Sequence, residues 1–363
     1  MRLGVEAALV GSELVPGDVE LIDGRVVRYG LASPAGRGIA APGFIDLQVN
    51  GFGGVDFTAA DDDGYAHAGA ALLETGVTAY QPTFISSPEA RLVDALRAMP
   101  SSCPNGPRVL GAHLEGPFIS SHRLGVHSPE ARRDPDLSLA GRLLDAGQVS
   151  SMTIAPELPG ALDLVRLLHD RGVVVSFGHS DADAAEAHRA FNQGVATVTH
   201  LFNAMRPFDR RDPGIAGVAL ARADVLVQII VDGVHLAPEV VQVIWHAAAG
   251  RVALVTDAIA AAGVGDGPFE LAGTEVEVRG GVARRMQDGV LAGSVVTMID
   301  AVRNLHALGV PLGAALEAAS SVPARILGLT GIGVIEPHAA ADLLVLDDNL
   351  RIKRVIVGGK TRV

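Results

Sequence analysis

Short apolar runs alternate with amphipathic segments through most of the chain. The runs have the length and aliphatic content of buried parallel strands, and several of the segments between them have helical periodicity. We predict eight strands, at 43–50, 77–84, 109–115, 152–157, 173–179, 196–200, 225–231 and 252–257. Helices are predicted at 61–74, 158–170, 181–193, 238–249 and 295–308. Eight strands that alternate with helices over roughly 250 residues indicate an α/β fold, the (β/α)8 or TIM barrel.

The same alternation is compatible with an open, doubly wound parallel sheet. That fold commonly carries a Gly-x-Gly-x-x-Gly motif after an early strand, where it binds a dinucleotide. No such motif follows an early strand of this chain. The barrel is therefore the favoured fold.

Both ends of the chain have β-like runs that are shorter and more polar. Residues 17–22 and 25–28 flank the turn Asp23-Gly24, which is typical of a hairpin, and similar runs occupy 342–347 and 352–357. We predict that residues 1–41 and 335–363 form a small β-sandwich domain and that 42–334 form the barrel. The glycine-rich, β-like segment 263–291 is predicted to contribute to the small domain.

Composition limits the chemistry that this chain can use. Of its 363 residues 48% are hydrophobic and 19% charged, as in a packed globular protein, and the net charge of -12 argues against a nucleic-acid partner. The single cysteine, Cys103, excludes a disulfide framework or a thiolate metal site. The chain has two lysines, Lys353 and Lys360, both near its C-terminus. The predicted barrel therefore contains no lysine that could be carboxylated to bridge two metal ions. We find no signal-peptide pattern and no membrane-spanning apolar run, and we expect a cytoplasmic protein.

Polar residues stand at the ends of several predicted strands, where barrel enzymes place their active sites. Glu115, His179 and His200 end three different strands, and such a His2Glu set suits zinc with one position open for water. Asp257 ends the eighth strand and is a candidate base for that water. The alternative is a hydrogen-bonded polar layer that caps the barrel.

The loop after His200 suggests a second half to the site. It contains Asn203 and a basic run at 206–211. An anion pocket beside a metal is the simplest interpretation of this pattern. Such a pocket would let an acidic protein bind an acidic substrate.

Eight motifs along the chain carry a family resemblance. They are PGFIDLQVNG (42–51), HLEGPF (113–118), GHS (178–180), THLFNAM (199–205), DPGIAG (212–217), DGVH (232–235), VTDA (255–258) and LAGS (291–294). In this order they resemble the amidohydrolase superfamily, and within it the deacetylases of amino-sugar phosphates. The resemblance extends over nearly the whole chain.

The resemblance implies a role for each matching position. Glu115, His179 and His200 would bind one divalent metal per subunit, with Zn²⁺ favoured. Asp257 would deprotonate the metal-bound water and then protonate the leaving amine, and His127 would polarise the acetamide carbonyl. The substrate phosphate would be bound by Asn203, the backbone at Ala204, Arg211 and His235. The resemblance also implies a homodimer, in which a neighbouring subunit can supply some of these contacts.

The first strand departs from the pattern of many amidohydrolases. They carry His-x-His there and bind a second metal, whereas this chain has Gln48-Val-Asn50. Amide side chains are poor zinc ligands, so one metal is favoured, with Gln48 and Asn50 as hydrogen-bonding supports. The implied reaction converts N-acetylglucosamine 6-phosphate to glucosamine 6-phosphate and acetate. The alternatives are another amidohydrolase, such as an N-acetyl-D-amino-acid deacylase or a cyclic amidase, and a catalytically silent barrel that binds sugar phosphates.

Overall fold

Eight parallel strands form a barrel at the centre of the computed structural model, which describes residues 1–32 and 36–363. The strands are Phe44–Val49, Val77–Ile85, Ala112–Glu115, Val149–Ile154, Val174–Phe177, Thr197–Val198, Leu226–Ile229 and Val252–Leu254. Each pairs in parallel with the next in chain order, and the short strand Arg108–Val109 pairs with the second. This confirms the predicted (β/α)8 architecture.

The barrel closes between its eighth and first strands through backbone contacts at one end. Val49 forms an isolated parallel bridge with Ala258. The backbone N–H groups of Asn50 and Gly51 both donate to the carbonyl of Ala258, at 2.8 and 3.1 Å. The seam is therefore held by residues just beyond the two strands, next to Asp257.

Helices surround the barrel, and side-chain caps fix where several of them begin. Asp61 accepts from the N–H of Gly64, and Asp183 forms a reciprocal capping box with Glu186. The helices are Asp62–Glu74, Glu89–Ala98, Leu137–Ala146, Ala161–Asp170, Ala184–Phe191, Gly214–Ala221, Pro238–Ala248, Met298–Ala307, Leu312–Ala318 and Ser321–Ile326, with a 3-10 turn at Phe57–Ala59. Within the described ranges, none of these helices has the length and apolar character needed to span a bilayer.

The two ends of the chain form a β-sandwich beside the barrel. One sheet has six strands, in the order Glu13–Pro16, Ala7–Val10, Ile39–Pro42, Leu343–Leu346, Ile352–Val357 and Lys360–Thr361. The hairpin Asp18–Ile22 and Arg25–Leu31 forms the second sheet. A separate apolar cluster, with Val19, Val26 and Ile356 among its fully buried members, lies between them. The domain bounds at 41/42 and 334/335 stay a prediction.

The segment 263–291 differs from our expectation. Its strands Gly267–Leu271, Thr274–Arg279 and Val282–Arg285 form their own antiparallel sheet, which does not pair with the terminal sheets anywhere in the described chain. The physical reason is its apolar face, which packs on Ile85 and Val126 at the mouth of the barrel. A further hairpin, Gly51–Phe52 with Val55–Asp56, lies after the first strand.

Candidate active site

The barrel mouth contains several non-glycine residues with left-handed backbone conformations. The φ angles are +47° at His179, +26° at His200 and +50° at Asp257, with Phe202 and Ala204 at +73° and +48°. Each such residue costs about 1–3 kcal/mol and persists only where its surroundings enforce it. Three observed strands end earlier than predicted, because the chain turns at His179, His200 and Asp257. These turns direct the three side chains toward one point.

Glu115, His179 and His200 meet at the bottom of the mouth. Oε1 of Glu115 lies 3.0 Å from Nε2 of His179 and 2.8 Å from Nε2 of His200, and the two ring nitrogens are 3.2 Å apart. All three side chains are at most 5% exposed. One carboxylate oxygen and two imidazole nitrogens thus converge from three different strands.

The hydrogen bonds around His179 test whether this cluster fits a cation. Its Nδ1 lies 2.9 Å from the carbonyl oxygen of Arg123, which can only accept, so Nδ1 carries the ring proton. A ring with this single proton presents the lone pair of Nε2 to the carboxylate of Glu115. Two lone pairs facing each other at 3.0 Å repel unless a positive charge lies between them. A carbonyl that orients a ligating histidine is also a common feature of metal sites. The donor set therefore fits a divalent metal ion.

Asp257 lies beside this cluster and is held by two amides. Its Oδ1 accepts from Nε2 of Gln48 at 3.0 Å and from Nδ2 of Asn50 at 2.7 Å, and the same nitrogen of Gln48 donates to Glu115 at 3.1 Å. Among the described residues we find no hydrogen bond to Oδ2. That oxygen is the one left for proton transfer.

The two carboxylates experience different electrostatic environments. Burial, together with the nearby charge of Glu115, raises the pKa of Asp257 to about 6. Burial acts in the same direction on Glu115, but the three histidines around the carboxylate outweigh it and hold the pKa of Glu115 well below its usual range. Environments that separate two carboxyl pKa values in this way are typical of sites that need one fixed charge and one proton carrier.

His127 completes this side of the cavity. Its ring is 1% exposed and packs on His179 with ring centroids 4.4 Å apart. Burial and the neighbouring His179 lower the pKa of His127 to about 4, so the ring is neutral at physiological pH.

The same cavity is also lined by Asn203, Ala204 and His235. The backbone N–H of Ala204 has no acceptor in the described part of the chain, and the Asn203 amide donates to the carbonyls of His200 and Leu201, which fixes the turn. Nδ1 of His235 bonds the carboxylate of Asp232 at 2.7 Å, and this bond helps to lower the pKa of Asp232 against the opposing effect of burial. The cavity volume of about 760 Å³, which includes open solvent, is within the usual range for small-molecule sites.

The arginines discussed below, from the basic run after His200, are either paired with carboxylates or exposed. Arg206 is engaged with Asp212 at 2.8 Å and with Asp181 at 3.6 Å, so its charge is already neutralised. Arg211 is exposed and is not among the cavity-lining residues. Nine of the eleven predicted site residues thus line one cavity, Gln48 bonds two of them, Glu115 and Asp257, and Arg211 lies at the surface.

Other residues that shape the site were not predicted from the sequence. Ser294 donates from Oγ to the carbonyl of Thr256 at 2.5 Å and from its backbone N–H to the carbonyl of Asp257 at 2.8 Å, which holds the left-handed turn. Its LAGS motif is part of the family resemblance, which implies no role for the serine. Leu271 and Leu291 line the cavity from the inserted sheet and the segment that follows it, and only a knowledge of tertiary packing could have found them.

Comparison with known proteins shows the family of this chain. A model of the amidohydrolase family matches residues 39–362. The chain is 41% identical to the N-acetylglucosamine-6-phosphate deacetylase of Homo sapiens over 90% of this chain and 83% of the relative. It is 33% identical to the N-acetylgalactosamine-6-phosphate deacetylase of Escherichia coli, over 89% of this chain and 87% of the relative.

A solved structure is similar over the full length. It is a mutant N-acetyl-D-glucosamine-6-phosphate deacetylase of Mycobacterium smegmatis in complex with N-acetyl-D-glucosamine-6-phosphate. The TM-score is 0.95 at 38% identity, with 100% of this chain and 99% of that chain covered. The chain belongs to the amidohydrolase family and, within it, to the group of the N-acetylglucosamine-6-phosphate deacetylases.

Proposed function

We propose that this protein hydrolyses the acetamide of N-acetylglucosamine 6-phosphate to give glucosamine 6-phosphate and acetate. One observation carries the proposal. A single cavity is lined by the Glu115/His179/His200 cluster and Asp257, and also by Ala204, with its open N–H, and His235. Groups suited to chemistry at an amide and donors suited to an anion thereby line the same cavity.

The metal we propose is a single zinc ion per subunit, held by Glu115, His179 and His200. The two histidines and one carboxylate match the ligand set that zinc takes in hydrolases. When bound, the ion supplies the positive charge that acidifies water and polarises a carbonyl near neutral pH. Gln48 and Asn50 donate to carboxylates here, and this supports a role for them as hydrogen-bonding supports rather than as ligands.

Asp257 is the proposed general base and acid. Its Oδ2 takes the proton of the attacking water as the new C–O bond forms. The same proton then passes to the amide nitrogen as the C–N bond breaks, so that the amine leaves with acetate as the second product. The two amides on Oδ1 fix the carboxylate plane, so the same oxygen faces the cavity in both steps.

His127 is the proposed donor to the carbonyl oxygen of the acetamide. Its buried ring is neutral, because its pKa is lowered to about 4, and a neutral imidazole can donate one hydrogen bond without giving up the proton. As negative charge develops on the carbonyl oxygen, that hydrogen bond strengthens.

The anchor for the phosphate is the second part of the proposal. Asn203, the backbone N–H of Ala204 and His235 offer donors within the chain, and an arginine fork would complement a phosphate. The exposed position of Arg211 is consistent with its acting on the cavity of a second subunit, and we propose a homodimer on this basis. Cytoplasmic localisation stays a prediction.

The decisive experiment is acetate release by the purified protein with one equivalent of zinc. N-acetylglucosamine 6-phosphate, N-acetylgalactosamine 6-phosphate and unphosphorylated N-acetylglucosamine are compared, and we expect release from the first and a much lower kcat/KM for the last. Activity on N-acetyl-D-amino acids or cyclic amides instead would identify another amidohydrolase. Tight binding of the sugar phosphate without release would identify a silent barrel.

A test of the anchor uses Arg211→Ala with Arg210→Ala as its control. We expect Arg211→Ala to raise KM for the phosphorylated substrate and Arg210→Ala to change it little. Light scattering of the purified protein measures the oligomeric state. A monomer with full activity would refute the shared site.

A further inference from the structure

Two buried serines follow each other after the second barrel strand and differ in what they contact. Ser86 and Ser87 are 4% and 5% exposed. Oγ of Ser86 lies 2.8 Å from Nδ1 of His127, and its backbone N lies 3.3 Å from the same nitrogen. Oγ of Ser87 has no hydrogen-bond partner in the described residues.

The contact from the backbone of Ser86 indicates which nitrogen of His127 carries the proton. An amide N–H can only donate, so Nδ1 must accept and cannot itself be protonated in the neutral ring. The hydroxyl of Ser86 has two acceptors within reach, the same lone pair at 2.8 Å and the carbonyl of Glu115 at 3.5 Å, and its one hydrogen goes to the nearer, Nδ1. The proton of the neutral ring therefore lies on Nε2. His179, which packs against this ring, is held in the opposite tautomer by the carbonyl of Arg123.

Space around the hydroxyl of Ser86 is provided by a glycine. Gly116 has a φ of +84°, and a Cβ at that position would lie 2.3 Å from Oγ of Ser86. Nε2 of His127 is 3.8 Å from Oε2 of Glu115, which is too far for a hydrogen bond. The N–H on Nε2 is thus left for a group that enters the cavity.

We propose that Ser86 is a positioning residue that locks His127 in its Nε2–H tautomer. The inference rests on the proposed function in one respect, namely that the group entering the cavity is the carbonyl oxygen of an amide. A carbonyl oxygen can only accept, so the other tautomer would present a lone pair to it and repel it. Ser86 makes His127 a donor before the substrate arrives.

The test combines nitrogen NMR of the zinc-loaded protein with steady-state kinetics on three variants. In the wild type, we expect the ring nitrogens of His127 to show a protonated Nε2 and an unprotonated Nδ1. Ser86→Ala keeps the backbone N–H at 3.3 Å from Nδ1 but loses the shorter hydrogen bond from the hydroxyl, so it should give a mixture of tautomers. It should lower kcat by about 10-fold with little change in KM, as is usual when a residue that orients a functional histidine is lost. Ser86→Thr should restore both readouts, and Ser87→Ala should match the wild type in both.

Two results would overturn the proposal. One is a proton on Nδ1 of His127 in the wild type, and the other is an unchanged tautomer in Ser86→Ala. The NMR result is independent of turnover, so a wild type that releases no acetate but has the expected tautomer would refute the proposed function and leave the role of Ser86 supported.

Discussion

Single residues at the mouth of the barrel owe their chemistry to their immediate neighbours. Glu115 and Asp257 are both buried carboxyls, yet one is surrounded by histidines and the other by amide donors. The first therefore stays charged and suits a ligand, while the second has a pKa of about 6 and can exchange a proton near neutral pH.

Replacing Asp257 by Asn tests this division of roles. The amide keeps the size of the side chain but cannot carry a proton between water and nitrogen, so we expect kcat to fall by about 100-fold or more. Zinc content, measured by mass spectrometry of the metal, should stay at one per chain. A variant that loses its metal would show that Asp257 is a ligand.

The pKa of Asp257 should respond to the metal. In the metal-free protein burial and Glu115 raise the pKa to about 6, whereas a cation at the neighbouring cluster favours the charged carboxylate and lowers it. Carbon NMR of the labelled carboxyl should show a titration near pH 6 without zinc and a lower midpoint with zinc. Identical midpoints in the two states would contradict the proposed metal position.

At the scale of elements, the inserted sheet of residues 267–285 links to the loop that carries His127. Arg285 donates to the carbonyl of Val126 at 3.1 Å while it is paired with Asp288. Val126 also packs in the apolar cluster of this sheet. The sheet thus forms one wall of the cavity and fixes the His127 loop.

Arg285→Ala should loosen that loop without unfolding the barrel. We expect a severalfold loss of kcat/KM and faster amide hydrogen exchange at residues 124–127, because the sheet loses its hydrogen bond to Val126. Arg279→Ala is the matched control, since this residue is in the same sheet with its side chain 84% exposed. Equal effects of the two substitutions would show that the loop does not depend on Arg285.

The sequence predicts a helix or strand correctly wherever residue type and hydrophobic periodicity indicate the same secondary structure. All eight strands and the five predicted helices occur, because buried parallel strands and amphipathic helices have a local signature. The sixth strand, Thr197–Val198, is shorter than predicted because His200 already turns away. The placement of 263–291 and of Arg211 depends on long-range packing, which periodicity does not encode.

At the scale of the whole molecule, the hydrogen bonds between the eighth and first strands stabilise the barrel and lie next to the active site. Asp46 on the first strand accepts from the hydroxyl of Thr256 at 2.6 Å and from its backbone N–H at 3.2 Å, one residue before Asp257. Asp46 is fully buried, and burial raises its pKa to about 7 from the usual 3.8. Its protonation therefore affects how firmly the seam is closed.

The pH dependence of unfolding should reveal this group. The folded protein holds the proton of Asp46 more tightly than the unfolded chain, so its contribution to stability is full below about pH 3.8 and declines until about pH 7. Asp46→Asn cannot titrate, and we expect its unfolding free energy to fall less over this interval than that of the wild type. Parallel curves from urea titrations would contradict the assignment.

The convergence of Glu115, His179 and His200 also has a consequence for the amount of folded protein. Since the carboxylate of Glu115 and the Nε2 lone pair of His179 oppose each other without a cation, ion binding and folding are thermodynamically linked, and an ion at 1,000 times its Kd would add about 4 kcal/mol. Chelation should lower the thermal midpoint, and zinc should restore it. If so, the supply of metal in the cell governs how much of this protein escapes proteolysis as well as how fast each molecule works.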